Sequence, residues 1–175
     1  MDNISTLQDL LQVLPQCSGK EYIELVKHIN LDEHSFKGYE SWSDRGYTRN
    51  LLARTENYEL ILLCWEKGQD TQIHCHNEQE CWVYTAQGSF REKRFSFDTN
   101  TREMNLKNDM TLQKGQFSYM NDDMGYHSLE NIHNGRTMSL HLYMNPITEC
   151  RVYDADLKTL EWKVLHYDNV VESDK

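Results

Sequence analysis

Two histidines separated by one residue, His74 and His76, stand in the stretch Gly68-Gln69-Asp70-Thr71-Gln72-Ile73-His74-Cys75-His76-Asn77-Glu78-Gln79-Glu80-Cys81, with Gly88 further on. On an extended strand an i, i+2 pair projects both imidazoles to one face, where they can converge on a single metal ion. Two imidazoles do not complete a site, so a third ligand must come from elsewhere in the chain. By the same alternation Cys75, between them, points away from the metal.

A second row lies in Met138-Ser139-Leu140-His141-Leu142-Tyr143. Period-2 reading puts Met138, Leu140 and Leu142 on one face and Ser139, His141 and Tyr143 on the other. The polar row either faces water or forms a hydrogen-bonded line pointing into a barrel. Composition by itself favours the solvated reading.

The elements that must position these residues are legible in outline. Ser5 with Gln8 has the form of a capping box, and Leu7, Leu10, Leu11 and Leu14 repeat at helical spacing until Pro15. Ser18 with Glu21 repeats the cap, and Tyr22, Leu25, Val26 and Ile29 repeat the stripe. Two short helices are expected. From Tyr47 the pattern changes to β-rich runs at 58–65, 81–86, 90–97, 117–120 and 137–143, the makings of a barrel or sandwich. Asn134-Gly135 is a type I′ hairpin signal that would set the His127 region antiparallel to the strand carrying His141. Residues 154–158 read as a further turn and 162–167 as a last strand.

The chain has 175 residues, enough for one domain that buries about two thirds of its unfolded surface. A net charge of −10 repels phosphate backbones and anionic headgroups, which excludes general nucleic-acid or membrane-surface binding. No basic leader opens the chain, and the longest apolar run, 60–65, is far too short to span a bilayer. Five cysteines without a C-x-x-C pair argue for reduced thiols, hence a cytoplasmic protein. No strand shows a long exposed apolar edge, so a monomer acting on small molecules is expected.

Gly68, five residues, His74-x-His76, four residues, Cys81, six residues, Gly88 resembles the first motif of the cupin superfamily, with Cys81 where most members have a glutamate ligand. Gly115, then Asn121-Asp122-Asp123-Met124-Gly125-Tyr126-His127 and Asn131 resemble the second motif, without its usual proline and with one residue inserted. The cysteine in the glutamate slot, with Tyr47-Thr48-Arg49-Asn50 and Ser139-Leu140-His141-Leu142-Tyr143, is similar to the cysteine dioxygenases, over about 47–143. The resemblance implies a mainly β, cupin-type antiparallel β-barrel (jelly roll) at 47–175, with the helical segment 1–46 packed on it in a single cupin domain, 1–175. His127 becomes the third ligand. Glu80 is the rival carboxylate if the spacing after His76 is counted one residue shorter, but Gly88 then falls out of place. His28, His34, His133 and His166 have no motif context and are expected to be solvated.

The resemblance further implies Fe(II) on His74, His76 and His127, and oxidation of the thiol of L-cysteine with O2 to the sulfinic acid, both oxygen atoms going to sulfur. Three neutral imidazoles leave the metal its full double charge, which suits a chelating thiolate. Arg49 takes the place of the arginine that holds the substrate carboxylate; related mercaptopropionate dioxygenases commonly have glutamine there. Tyr143 corresponds to the pocket tyrosine, with His141 and Ser139 as the relay that orients it. In animal members the cysteine at the position of Cys81 becomes joined to this tyrosine by a thioether, a protein-derived cofactor, and both residues are present. Trp65 and Tyr47 have counterparts near the pocket. Cys150 matches a cysteine near the pocket mouth; its role is left open, a reactive surface thiol being one reading. Met144-Asn145-Pro146 departs from the usual Ser-Pro-Pro, and its peptide bonds are expected trans. The alternatives are a dioxygenase of 3-mercaptopropionate or cysteamine, or a non-catalytic metal-binding cupin.

Overall fold

The computed structural model describes residues 3–171. Its first elements are helices α1 (Leu7–Val13) and α2 (Glu21–Lys27). The cap of α1 is Thr6 rather than Ser5: the Thr6 hydroxyl accepts from the Asp9 backbone N–H at 3.1 Å and donates to the Asp9 carboxylate at 2.6 Å. Asp9 bonds the Thr6 hydroxyl and not the Thr6 backbone N–H, so only the forward half of a capping box is made, one residue later than expected. At α2 the Glu21 carboxylate reaches back to the Ser18 N–H at 2.8 Å, half of the expected box. Tyr22, Leu25, Val26 and Ile29 are buried as the stripe requires.

Among the described residues eleven strands come next: β1 (Thr48–Arg54), β2 (Tyr58–Trp65), β3 (Glu80–Gln87), β4 (Ser89–Asp98), β5 (Glu103–Gln113), β6 (Phe117–Met120), β7 (Tyr126–Asn131), β8 (Thr137–Met144), β9 (Glu149–Asp154), β10 (Thr159–Val164) and β11 (Asn169–Val170). A six-stranded sheet has the order β11-β1-β2-β8-β3-β6; opposite it lie β5-β4-β7 and the pair β10-β9. Isolated bridges Asp70↔Glu130, His74↔His127 and His74↔Val152 tie the segment before β3 between β7 and β9. The two layers form a jelly roll that is not a closed hydrogen-bonded ring.

Both faces of the large sheet are covered. Leu60, Leu62 and Cys64 of β2, and Met138, Leu140 and Leu142 of β8, pack with the helices on the outside. Ile61, Leu63 and Trp65 turn inward with Val83, Phe90 and Leu129. Burial on both faces is why 60–65 is uninterruptedly apolar. It also settles the polar row of β8: with the helices over the apolar face, Ser139, His141 and Tyr143 face the interior and are buried, against the solvated reading.

Two glycines make the corners at which the chain changes layer. Gly88 (φ 77°) joins β3 to β4, and a Cβ there would lie 2.3 Å from Thr137 Cγ2. Gly125 (φ 92°) leads into β7, and its Cβ would meet the Phe95 carbonyl oxygen at 2.3 Å. Only glycine fits either position.

Asn134-Gly135 does not make the expected hairpin. β7 pairs with β4, β8 pairs with β2 and β3, and neither turn residue has the positive φ of a type I′ turn. The connection crosses between layers instead, held by the Asn131 side chain, which donates to the carbonyl oxygens of Glu66 and Gly135 at 2.9 Å each. The last long strand is β10 at Thr159–Val164, not 162–167; the chain then runs on to β11, parallel to β1. β5 escapes sequence detection because nearly all its side chains are exposed or half-exposed and only Leu112 is buried.

Candidate metal centre

The ligand atoms of His74, His76 and His127 lie within 4.8 Å of one another. His127 comes from β7. His74 faces it through a reciprocal backbone pair, each N–H donating to the other's carbonyl at 2.9 Å. Cross-strand neighbours on one face bring their side chains together. The segment holding His74 and His76 is extended but is not a regular strand; His76 is placed by the turn directly after it. Asn77 (φ 52°) and Glu78 (φ 65°) turn the chain in the left-handed region, and the Asp122 carboxylate accepts from the N–H groups of His76 and Glu78 at 2.8 Å each.

The ring nitrogens are differentiated. His74 Nδ1 lies 2.9 Å from the Gln72 carbonyl oxygen, and His127 Nδ1 lies 2.8 Å from Glu92 Oε1. A carbonyl or carboxylate acceptor fixes the proton on Nδ1 and leaves Nε2 as a lone-pair donor. His127 Nε2 and both nitrogens of His76 are buried without hydrogen-bond partners. Burial, reinforced by the neighbouring His127, pulls His74 down to about 3 and His76 well below the ordinary imidazole value, so both are neutral at physiological pH. Converging, unprotonated and unpartnered nitrogens are costly in a protein interior unless a cation receives them. The residues fit a metal ion.

Glu92 is a residue that sequence reasoning misses. It has no solvent exposure. Burial would push its carboxyl up, but the hydrogen bonds from His127 and Ser118 and the nearby Arg94 guanidinium outweigh it and hold the group below the usual carboxylate range. Ser118 Oγ donates to Oε2 at 2.5 Å, and Arg94 Nη2 bonds Ser118 Oγ and the Tyr119 carbonyl oxygen at 2.9 and 2.8 Å. In sequence, Arg91-Glu92-Lys93-Arg94 reads as a solvated charged face. The available signal was alternation: Phe90, Glu92 and Arg94 share one side of β4.

Beside His74 opens a small cavity, with Tyr47, Arg49, Tyr143, Ile147 and Cys150 in its wall. Arg49 is buried; its Nε donates to the His166 carbonyl oxygen at 3.1 Å, and its Nη2 has no partner. An unpartnered guanidinium nitrogen beside a metal centre is a seat for an anion. Tyr143 of β8 stands opposite Cys81 of β3 in register, and burial pushes both the phenol and the thiol up, so each keeps its proton.

Ser139 and His141 are joined, Oγ to Nε2 at 2.8 Å, and Trp65 Nε1 donates to the same Oγ at 3.0 Å. With Trp65 as donor, the serine proton points to Nε2 and the histidine proton sits on Nδ1, an assignment made from the network. That Nδ1 is buried and unpartnered. No direct hydrogen bond joins His141 to Tyr143; their rings lie 6.2 Å apart at 24°. Trp65 also stacks on Tyr47 at 4.4 Å.

Glu80 is exposed and outside the triad, so the carboxylate alternative falls. Cys75 is buried and likewise outside it. Cys150 is buried in the cavity wall rather than exposed at its mouth, and its thiol is pushed up to about 11 by burial and the nearby Cys75. His34, His133 and His166 are exposed and His28 half-buried. All peptide bonds of the described residues are trans, and all five cysteines are free.

A jelly roll holding three convergent histidines in its interior defines a metal-binding cupin. Two solved structures share the fold: a double-stranded β-helix protein from Klebsiella pneumoniae (13% identical, TM-score 0.51, covering 61% of this chain and 84% of that one) and a Thermus thermophilus protein (14%, 0.51, 63% and 93%). The family model for cysteine dioxygenase type I matches residues 2–156. Cysteine dioxygenase type 1 of Homo sapiens is 34% identical over 158 residues, and that of Bos taurus 33% over 159, in each case 85% of this chain and 79% of the relative. The chain belongs to the cysteine dioxygenase type I family and is an oxidoreductase of the thiol dioxygenase class.

Proposed function

We propose that the protein oxidises free L-cysteine with O2 to cysteine sulfinic acid, with Fe(II) held by His74, His76 and His127. The observation that carries this reading is the free Nη2 of Arg49 in the wall of the cavity that His74 also lines. One small molecule with a carboxylate at one end and a thiolate at the other answers both features. The balance is R–SH plus O2 giving R–SO2H, the second rung of thiol oxidation. The iron supplies the dioxygen chemistry when bound.

The side chains do the rest. Arg49 offers its guanidinium to the substrate carboxylate, and its bond to the His166 carbonyl oxygen fixes the direction of approach. Tyr143 presents its phenol to the same cavity, keeping its proton and so acting as a donor toward carboxylate or oxygen. Ser139 and Trp65 hold His141 as a neutral Nδ1–H donor on the inner face. Glu92 holds His127 in the tautomer a metal needs. Cys81 pairs with Tyr143 in register, which supports a thioether between its sulfur and the tyrosine ring as part of this reading. Five free thiols suit a reducing, cytoplasmic setting, in which the protein acts as a monomer on small molecules.

The test is product analysis by mass spectrometry after aerobic incubation of Fe(II)-loaded protein with L-cysteine and labelled dioxygen. A sulfinic acid carrying two labelled oxygens is expected, and none from His127→Ala. Turnover of 3-mercaptopropionate or cysteamine in place of L-cysteine would reassign the substrate. Inactivity of iron-loaded protein toward all three would favour a binding protein.

A further inference from the structure

The inner face of β8 is a grid whose rows are set by register. Ser139 stands between Leu63 and Thr85, His141 between Ile61 and Val83, and Tyr143 between Glu59 and Cys81. Two of the three β2 residues in this grid are aliphatic. The third is a carboxyl side chain with no solvent exposure. Burial raises its pKa, and a leucine in its place would carry no such desolvation cost.

Glu59 makes one hydrogen bond. Oε2 accepts from the Ile147 backbone N–H at 2.9 Å; Oε1 has no hydrogen-bond partner and meets the exposed Arg54 only as a long ion pair, at 3.7 Å from Nη1. Ile147 ends the turn Met144-Asn145-Pro146 that leaves β8, and its buried side chain lines the cavity beside Arg49 and Tyr143. Other contacts hold Asn145, at φ 69°: its N–H donates to the Asn57 carbonyl oxygen at 2.9 Å and its Nδ2 to Gln79 Oε1 at 3.1 Å. Neither reaches Ile147. Without Glu59 the Ile147 amide would be a buried donor lacking an acceptor, and the turn would have to move to find one.

We propose that Glu59 is a positioning residue of the substrate cavity: accepting the Ile147 N–H from within the sheet, it sets the apolar wall against which the carbon chain of the thiol lies and thereby helps choose among small thiols. This role rests on the dioxygenase reading of the site. Tyr143, in the same row, is held by β8 itself; the wall facing it is held by Glu59.

The test compares E59Q, which keeps an acceptor oxygen, with E59L, which matches the aliphatic neighbours of the grid, both iron-loaded. Two readouts are taken: amide exchange at Ile147, and kcat and KM for L-cysteine, 3-mercaptopropionate and cysteamine. In E59L, exchange at Ile147 is expected to quicken about tenfold, the loss of one buried hydrogen bond. KM for L-cysteine rises about fivefold with kcat within about twofold, and the preference for it over 3-mercaptopropionate narrows. E59Q stays near the parent in both readouts. An E59L protein with unchanged KM values, or an E59Q protein that loses discrimination as E59L does, overturns the role. E59M serves the same comparison if E59L does not fold. An iron-loaded parent inactive on all three thiols would overturn the dioxygenase reading instead, so the two failures are distinct.

Discussion

Cys81 and Tyr143 face each other across the β3–β8 ladder, on the inner side of the sheet and shielded from solvent. Directly opposed residues of an antiparallel pair have their Cβ atoms within about 5.5 Å. The pairing is a property of register, so no loop movement is needed to bring sulfur to ring.

During aerobic turnover with L-cysteine, a thioether is expected to form between Cys81 Sγ and a ring carbon of Tyr143. The thiol and ring hydrogens leave with two electrons, which dioxygen accepts. Intact mass should fall by two hydrogen atoms, and digestion should yield the two peptides joined. Neither change should occur in Cys81→Ser or Tyr143→Phe. An active parent of unaltered mass would show that proximity alone does not suffice.

Glu92→Gln keeps an acceptor for His127 Nδ1 but removes the charge. Loss of such a carboxylate partner lowers metal affinity about 10- to 100-fold. Competition against a chelator measures this directly, without turnover. Glu92→Leu should be worse, because it also removes every acceptor oxygen offered to His127 Nδ1, Ser118 and Arg94.

Replacing Arg49 by alanine should lower kcat/KM for L-cysteine about 100-fold, which corresponds to about 2.7 kcal/mol for a lost charge-assisted contact. Lysine should rescue only part, because an ammonium cannot reproduce the fork. Cysteamine, which has no carboxylate, is the control: its turnover should scarcely respond. An equal loss for both thiols would assign Arg49 a purely structural role.

Cys150 has its thiol pushed up to about 11. The thiolate is the nucleophile, so at neutral pH Cys150 should resist alkylation, and labelling should rise only as pH climbs toward that value. Half-exposed Cys17 should label first, although burial and Glu21 raise its pKa as well. Peptide mapping after brief treatment with iodoacetamide at several pH values decides it.

Residues read through strict alternation or through motif spacing were found from sequence. Ser139, His141 and Tyr143 share a face as their spacing requires, and His74, His76 and His127 converge. What alternation cannot say is which face is covered; that depended on helices packed from a distant part of the chain. Glu92 and Glu59 were invisible for a related reason. A charged residue in a strand is ordinarily solvated, and only the partners supplied by other strands and turns, His127 for one and Ile147 for the other, show that these are not. Asn134-Gly135 misled because a local turn preference was overruled by strands that pair elsewhere.

Two of the three histidines stand on a ribbon outside the regular strands, tied to β7 on one side and β9 on the other by separate backbone hydrogen bonds. His74 is held by isolated bridges to His127 and Val152, and His76 by Asp122 and by the Gln79 N–H of its own turn, whereas β8 is hydrogen-bonded along both edges in the middle of its sheet. An ion shared by His74, His76 and β7 would therefore work as a clasp. Its binding energy would fall mainly on that ribbon, closing the seam between β7 and β9, while the tyrosine row keeps its place with or without it.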